Sequence, residues 1–293
     1  MSLKSRFRSL TAALGVGTLV LGLAACSGGT SESAAPAAEA PAPTQQAPAL
    51  ETLTAGKLTI ATGEPAYPPY VIDDAPESGQ GFEAAVAYAL AAELGFAPVD
   101  VVWVRTTFEA GIQPGPKDFD LNLQQYSITP ERAANVDFST PYYQTPQAIL
   151  TVAGSAAAGA TSIADLKPLN IGAASGTTSF QAIVESIQPS AGARGFDNNS
   201  DAKLALETGQ IDALVVDLPT AFYLVAAELT DGVLIGQLPP GAGTSDEWGF
   251  VLKKDSPLTE AVNAALQRLI DSGKLAEITA AWLGSDQGAP VLQ

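Results

Sequence analysis

The pattern that most restricts this chain is an alternation. From Lys57 onward, short apolar runs are separated by stretches of helical period. The runs are KLTIAT (57–62), VDVVWV (99–104), DLNLQQY (120–126), PQAILTV (146–152), LNIGAA (169–174), IDALVVD (211–217) and WGFVLK (248–253). Between them, Phe82, Val86, Leu90 and Leu94 share one helical face, and helical stretches are expected at Ser179–Ile187, Asp201–Thr208 and Thr220–Glu228. Two more helices close the chain. Val262, Leu266, Leu269 and Ile270 line the first, Asp271-Ser-Gly breaks it, and Leu275, Ile278 and Trp282 line the second. Strands that alternate with helices predict an α/β protein with parallel sheets. Such sheets place ligands beyond the carboxyl ends of their strands, where loops feed helix N-termini.

Residue usage removes whole classes of chemistry. The 293 residues include no histidine and one cysteine, Cys26. Histidine triads, histidine metal ligands and histidine proton shuttles are therefore absent, and no intrachain disulfide can form. No cofactor or metal is expected. The chain carries 14 Lys and Arg against 31 Asp and Glu. That balance argues against nucleic acid as a partner.

The first 25 residues read as a targeting segment. Lys4, Arg6 and Arg8 form a positive start, and Leu10–Ala25 is apolar but short and rich in small residues. The segment ends in LAAC, Leu23–Cys26, which resembles the lipobox of bacterial lipoproteins. That resemblance implies a lipid-modified Cys26, cleavage before it, and anchoring on the extracytoplasmic face of a cell membrane. An ordinary signal peptide with a chance cysteine is the plainer alternative. Ser27 to Leu50 is built from Ala, Pro, Ser, Gly, Gln and Glu, cannot bury a core, and reads as a disordered tether, assigned to 26–54.

Three polar features stand at strand ends. In YSITPER, Thr129 suits a helix cap and Pro130 a first helical residue, which places Arg132 in the first turn, with Ser127 just before. A guanidinium there can hold a carboxylate bidentately; alternatively it pairs with Glu131 at the surface. In GAASGTTSF (172–180), Thr178 opens a helix and can offer its hydroxyl to an anion, or serve as a plain cap. In IDALVVDLPT, Asp217 ends a buried strand, where it can accept from an ammonium group or merely cap the next helix. An Arg for an acid and an Asp for an amine are what an α-amino-acid zwitterion needs, because buried charges must be paired.

The chain from Lys57 to Gly284 resembles the solute-binding proteins of bacterial amino-acid ABC importers, family 3. The resemblance is carried by YPPY (67–70), GFEAAVAYALAAELG (81–95), SITPERAANVDFSTPYY (127–143), GTTSF (176–180), GQIDALVVD (209–217), WGFVLKKDSPLTEAVNAAL (248–266) and AWLG (281–284). It implies a two-lobed, type II periplasmic-binding-protein fold, two parallel-sheet α/β lobes joined by two hinge strands. Lobe 1 would be 55–147 and 243–285, lobe 2 148–242, and 286–293 a C-terminal tail, with AILTV and GFVLK as hinges. It assigns an α-carboxylate to Arg132, Ser127 and Thr178, an α-amino group to Asp217 and a carbonyl near Gln125, and a ligand side chain to Tyr67 and Phe108. Glu64 matches a position where some members carry an acid that meets a basic ligand group. Ala85 stands where many members carry an acid, and Gln125 where small residues are frequent.

The implied function is capture of a polar or basic amino acid by a lipid-anchored monomer and its delivery to a membrane permease, without catalysis. Two rivals use the same fold. One is a dehydratase acting on a small carboxylate, with Glu64 or Asp217 as acid or base. The other is a ligand sensor that docks on a signalling receptor.

Overall fold

The computed structural model describes residues 50–239, 246–284 and 288–293. The targeting segment, Cys26 and most of the tether lie outside the described residues. So do 240–245 and 285–287.

The first half of the chain opens with β1 (Leu58–Thr62), α1 (Phe82–Glu93), β2 (Val101–Arg105), α2 (Phe108–Ile112), β3 (Leu121–Asn122), α3 (Pro130–Ala133) and β4 (Val136–Phe138). A short strand, β5 (Tyr143–Thr145), leads into β6 (Gln147–Val152), α4 (Ile163–Leu166), β7 (Ile171–Ala174), α5 (Thr178–Ala182), β8 (Ala193–Phe196) and α6 (Asn199–Glu207). Then follow β9 (Ala213–Asp217), α7 (Leu218–Tyr223), β10 (Gly232–Gln237), β11 (Asp246–Trp248), β12 (Val251–Lys253), α8 (Thr259–Asp271) and α9 (Lys274–Leu283). Both α5 and α7 run on into one π-helical turn, Ile183–Ile187 and Leu224–Glu228.

These strands make two five-stranded sheets, β2-β1-β3-β12-β4 and β10-β6-β9-β7-β8. In each, four strands run the same way and one runs against them. In the first sheet β1 pairs parallel with β2 and β3, and β12 runs antiparallel between β3 and β4. In the second, β7 pairs parallel with β8 and β9, and β6 runs antiparallel between β9 and β10. The sheets are thus predominantly parallel, as expected, with one antiparallel strand in each. The antiparallel strands come from chain that returns directly from the other lobe, not through a crossover helix.

Each sheet has its own core. Leu58, Ile60, Leu121 and Leu252 pack under Phe82, Val86 and Leu90 of α1 and Val262, Leu266 and Leu269 of α8. The face expected for α1 is the buried one. The second sheet is covered on both sides, by Ile149, Ile171 and Val215 with Ile183 and Ile187, and by Leu150, Leu214 and Val216 with Leu206 and Leu224. Near-continuous apolar runs such as IDALVVD follow from this two-sided burial.

The two lobes are joined through β5 and β11, an antiparallel pair in which Tyr143 faces Trp248 and Thr145 faces Asp246. AILTV and GFVLK were expected there, but each lies inside a sheet. β6 is flanked by β10 and β9, and β12 by β3 and β4, so their apolar runs reflect burial within a lobe. Two boundaries also shift. Leu53 N donates to Asp120 and Leu50 packs on the first core, so the body reaches back into the residues assigned to the tether. At the other end, Val291 bridges Gln237 of β10, Leu292 N donates to the Gln237 carbonyl and Ile163 N to that of Gln293. Leu292 is 2% exposed, so these last residues are docked on the second lobe.

Candidate functional site

A cavity of about 240 Å³ lies between the lobes. It opens where the carboxyl ends of β1, β3, β7 and β9 meet, as the rule for open α/β sheets requires. All eight residues expected at a ligand site line it: Glu64, Tyr67, Phe108, Gln125, Ser127 and Arg132 from the first lobe, Thr178 and Asp217 from the second.

Arg132 is placed by local sequence. Thr129 caps α3 by accepting from Arg132 N at 3.2 Å, and Pro130 supplies the first helical φ. The guanidinium is buried, at 8% exposure, and lies 5.2 Å above the Phe108 ring. Nη1 donates to the Ser127 carbonyl (2.8 Å) and Nη2 to that of Gly176 across the cleft (2.9 Å). Both partners are peptide oxygens. The alternative of a surface pair with Glu131 is not what forms. Burial pulls the Arg132 pKa down, and nearby Asp246 pulls it back. A buried cation whose direct bonds go only to neutral peptide oxygens is held ready for an anion.

Thr178 is the first residue of α5, and Thr177 rather than Thr178 is the cap. Gly176 makes the preceding turn at φ +73°, a conformation that favours glycine. The Thr178 hydroxyl lies 3.2 Å from Ser127 Oγ and donates to Asp246 at 2.8 Å. Ser127 and Thr178 therefore meet from opposite lobes, next to the guanidinium.

Asp217 precedes α7 but its side chain makes no capping bond. Instead it accepts from Gln147 Nε2 at 2.7 Å. The same amide nitrogen donates to Asp246. Burial pushes both carboxyls upward, and the charge of Asp246 pushes Asp217 further. An ammonium group beside Asp217 would relieve that strain.

The aromatic residues hold a double position. Phe108 stacks on Tyr126 at 4.6 Å and also lines the cavity. Tyr67 is half-buried in the Pro-rich loop, and its hydroxyl is buried without a hydrogen-bond partner among the described residues. Glu64 stands exposed at the rim.

Four residues escaped sequence reasoning: Asp246, Gln147, Glu83 and Tyr70. Asp246 and Gln147 lie on or beside the joining strands, where no motif marks them. Glu83 faces the cavity from α1 while reading as an ordinary acid in the first turn of a helix. Tyr70 Oη lies 2.8 Å from Thr220 Oγ1 and ties the two lobes together.

Residues 58–285 match the family model of the bacterial extracellular solute-binding proteins, family 3. The chain belongs to that family. Among family 3 relatives, the L-arginine-binding protein of Pseudomonas aeruginosa is 30% identical over 245 residues, 78% of this chain and 89% of that one. The ABC transporter glutamine-binding protein GlnH of Bacillus subtilis is 32% identical over 170 residues, 58% of this chain and 59% of its own length. Among solved structures, an ancestral amino-acid-binding protein that is a precursor of cyclohexadienyl dehydratase superposes with a TM-score of 0.65 at 33% identity, covering 78% of this chain and 96% of the other. The two-lobed type II architecture is thus shared across family 3, and the family is extracellular by description. No helix among the described residues is long and apolar enough to cross a membrane.

Proposed function

We propose that the protein captures an L-α-amino acid with a cationic or polar side chain between its lobes and delivers it to the permease of an ABC importer. The observation that carries this reading is the placement of Arg132 and Asp217 on one cavity from opposite lobes. Arg132, with Ser127 and Thr178, takes the α-carboxylate; Asp217, with Gln125, takes the α-ammonium. Tyr67 and Phe108 flank the side chain. Its outer part meets Glu64 and Asp197, while Arg132 is the only cation lining the cavity among the described residues. This excess of carboxylates favours a basic ligand and disfavours an acidic one.

Capture works through differential affinity. A zwitterion touching both lobes stabilises the closed state in proportion to contacts that the open state cannot make. Charge-assisted hydrogen bonds contribute roughly 1.5–3 kcal/mol each, and after ordering costs a dissociation constant on the order of micromolar is expected. In this reading residues 1–25 are a cleaved signal, Cys26 carries the lipid anchor, and the body works as a monomer on the extracytoplasmic face. The first lobe, assigned to 55–147 with 243–285, also takes in Leu50 and Leu53, and the second, assigned to 148–242, also carries Val291 and Leu292 of the chain end.

A thermal-shift screen against the twenty L-amino acids tests the reading, because a ligand bound only by the folded state raises the melting temperature. Calorimetry with the best hit should show no binding to Arg132→Ala. Unchanged affinity would remove Arg132 from the site. The dehydratase reading draws on the upward-shifted carboxyl of Asp217, which could hold a proton for transfer. Incubation with prephenate-like acids separates the two, since capture predicts no product.

A further inference from the structure

Glu83 is 1% exposed and lines the cavity from the first turn of α1. Among the described residues, every hydrogen bond to its carboxylate comes from a neutral donor. Gln125 N donates to Oε1 at 2.8 Å, the Gln125 side-chain amide donates to Oε2, and the Tyr142 hydroxyl donates to Oε1. The first two bonds grip a single residue by its backbone and its side chain. That residue, Gln125, sits at φ 52°, a left-handed conformation that a non-glycine residue adopts at a cost. A buried anion with no cation partner is not a stabilising arrangement by itself.

We propose that Glu83 is a positioning residue for the ammonium half of the site: it clamps Gln125 in the cavity wall, and its negative charge is completed by the cationic amine of the ligand. The proposal rests on the amino-acid reading above and adds a residue that selects for a charged amine.

The surroundings of Glu83 agree. Tyr142 bonds it directly, Tyr70 and Tyr126 feel its charge, and Asp217 of the second lobe is repelled by it. None of these groups is a cation. Burial raises the Glu83 pKa to about 7, while Tyr142 and Gln125 hold it lower than burial alone would. An arriving ammonium favours the ionised carboxylate, so binding releases a proton. Affinity for an amine should rise as pH rises through 7, and a ligand without an amine should show no such rise.

The test uses the mature protein, Glu83→Gln and Tyr142→Phe, with the amino acid of the twenty that shifts the melting temperature most. For the wild type, affinity should increase on the order of tenfold between pH 6 and pH 8. Calorimetry near pH 7 in buffers of different ionisation enthalpy should report net proton release. Glu83→Gln should bind more weakly at pH 8 and show a clearly shallower pH dependence, the remainder coming from Asp217 and Asp246. Tyr142→Phe keeps its ring packing, loses the donor to Glu83, and should move the midpoint upward in pH. A purely structural Glu83 would make Glu83→Gln weaker by the same factor at every pH and leave the Tyr142→Phe midpoint in place; either result overturns the proposal. A parallel arm needs no ligand. Melting of the free wild type should fall between pH 5 and pH 8, and less steeply in Glu83→Gln. If no amino acid binds the wild type, the functional reading falls and the proposal with it. If one binds and the two melting profiles run parallel, the proposal alone falls.

Discussion

A guanidinium lying on an aromatic ring and bonded to two peptide oxygens is an ion pair lacking its acid. That is the state of Arg132. Arg132→Ala should weaken amino-acid binding by ~100-fold or more, since two charge-assisted bonds of about 1.5–3 kcal/mol are lost; the folded circular dichroism spectrum should persist, because the guanidinium's direct bonds go to peptide oxygens and no direct ion pair is broken. Arg132→Lys should recover only part, as an ammonium cannot reproduce the planar fork. The carboxylates set a pH dependence of opposite flavour to ordinary acid denaturation. Glu83, Asp217 and Asp246 all bind protons more tightly folded than unfolded. Folded ligand-free protein then holds more protons than unfolded protein from the usual carboxylate range, about 4, up to about 7 for Glu83. Stability contributed by these groups is full below that range and is lost as pH rises through it. Chemical denaturation at pH 5 and pH 7.5, read by tryptophan fluorescence, should show the higher midpoint at pH 5. Arg132, Ser127, Thr178 and Asp217 were legible in the sequence because each ends a strand or starts a helix at a position that exposes it to a cleft. Glu83, Gln147 and Asp246 were not, because their burial is made by three segments far apart in the chain.

Elements were legible where period and caps agreed. The α1 face, the Thr129-Pro130 start of α3 and the glycine-marked break before α9 all follow from local chemistry. Thr129→Ala should cost roughly 1 kcal/mol of stability through the lost cap and should also loosen Arg132, seen as weaker ligand binding in calorimetry. The start of α1 is more demanding. Gly81 stands at φ 106°, and a Cβ there would meet the Tyr70 carbonyl oxygen at 2.3 Å. That carbonyl accepts from Glu83 N and Ala84 N, and Pro69 O from Phe82 N. Gly81→Ala should therefore displace the YPPY loop and Glu83 together, lowering both the melting temperature and ligand affinity. The expected strand DLNLQQY shrinks to Leu121–Asn122 because Gln125 turns left-handed to reach Glu83. A side-chain contact 42 residues away in sequence decided a backbone conformation that local propensity favours as extended.

At the scale of the molecule, the two sheets and the class of fold were readable, and the place where the lobes join was not. Apolar run length marks β6 and β12 strongly because they are interior strands, whereas β5 and β11 are three residues each and mix polar with aromatic side chains. Lobe closure is held by Tyr70 with Thr220, Ser127 with Thr178, and Arg132 with Gly176. A double-mutant cycle on Tyr70→Phe and Thr220→Val should return a coupling of about 0.5–1.5 kcal/mol in ligand affinity; a coupling near zero would mean that the hydroxyl pair does not contribute to closure. The docked chain end adds a mechanical condition. Helix α9 is built into the first lobe, and Val291 and Leu292 are stitched to the outer edge of the second. Swinging the lobes apart must respect this third mooring as well as the paired strands, so the arc of motion is bounded from a side that a two-strand pivot leaves unguarded. Freed of that mooring, the same molecule would gape wider and surrender its cargo sooner.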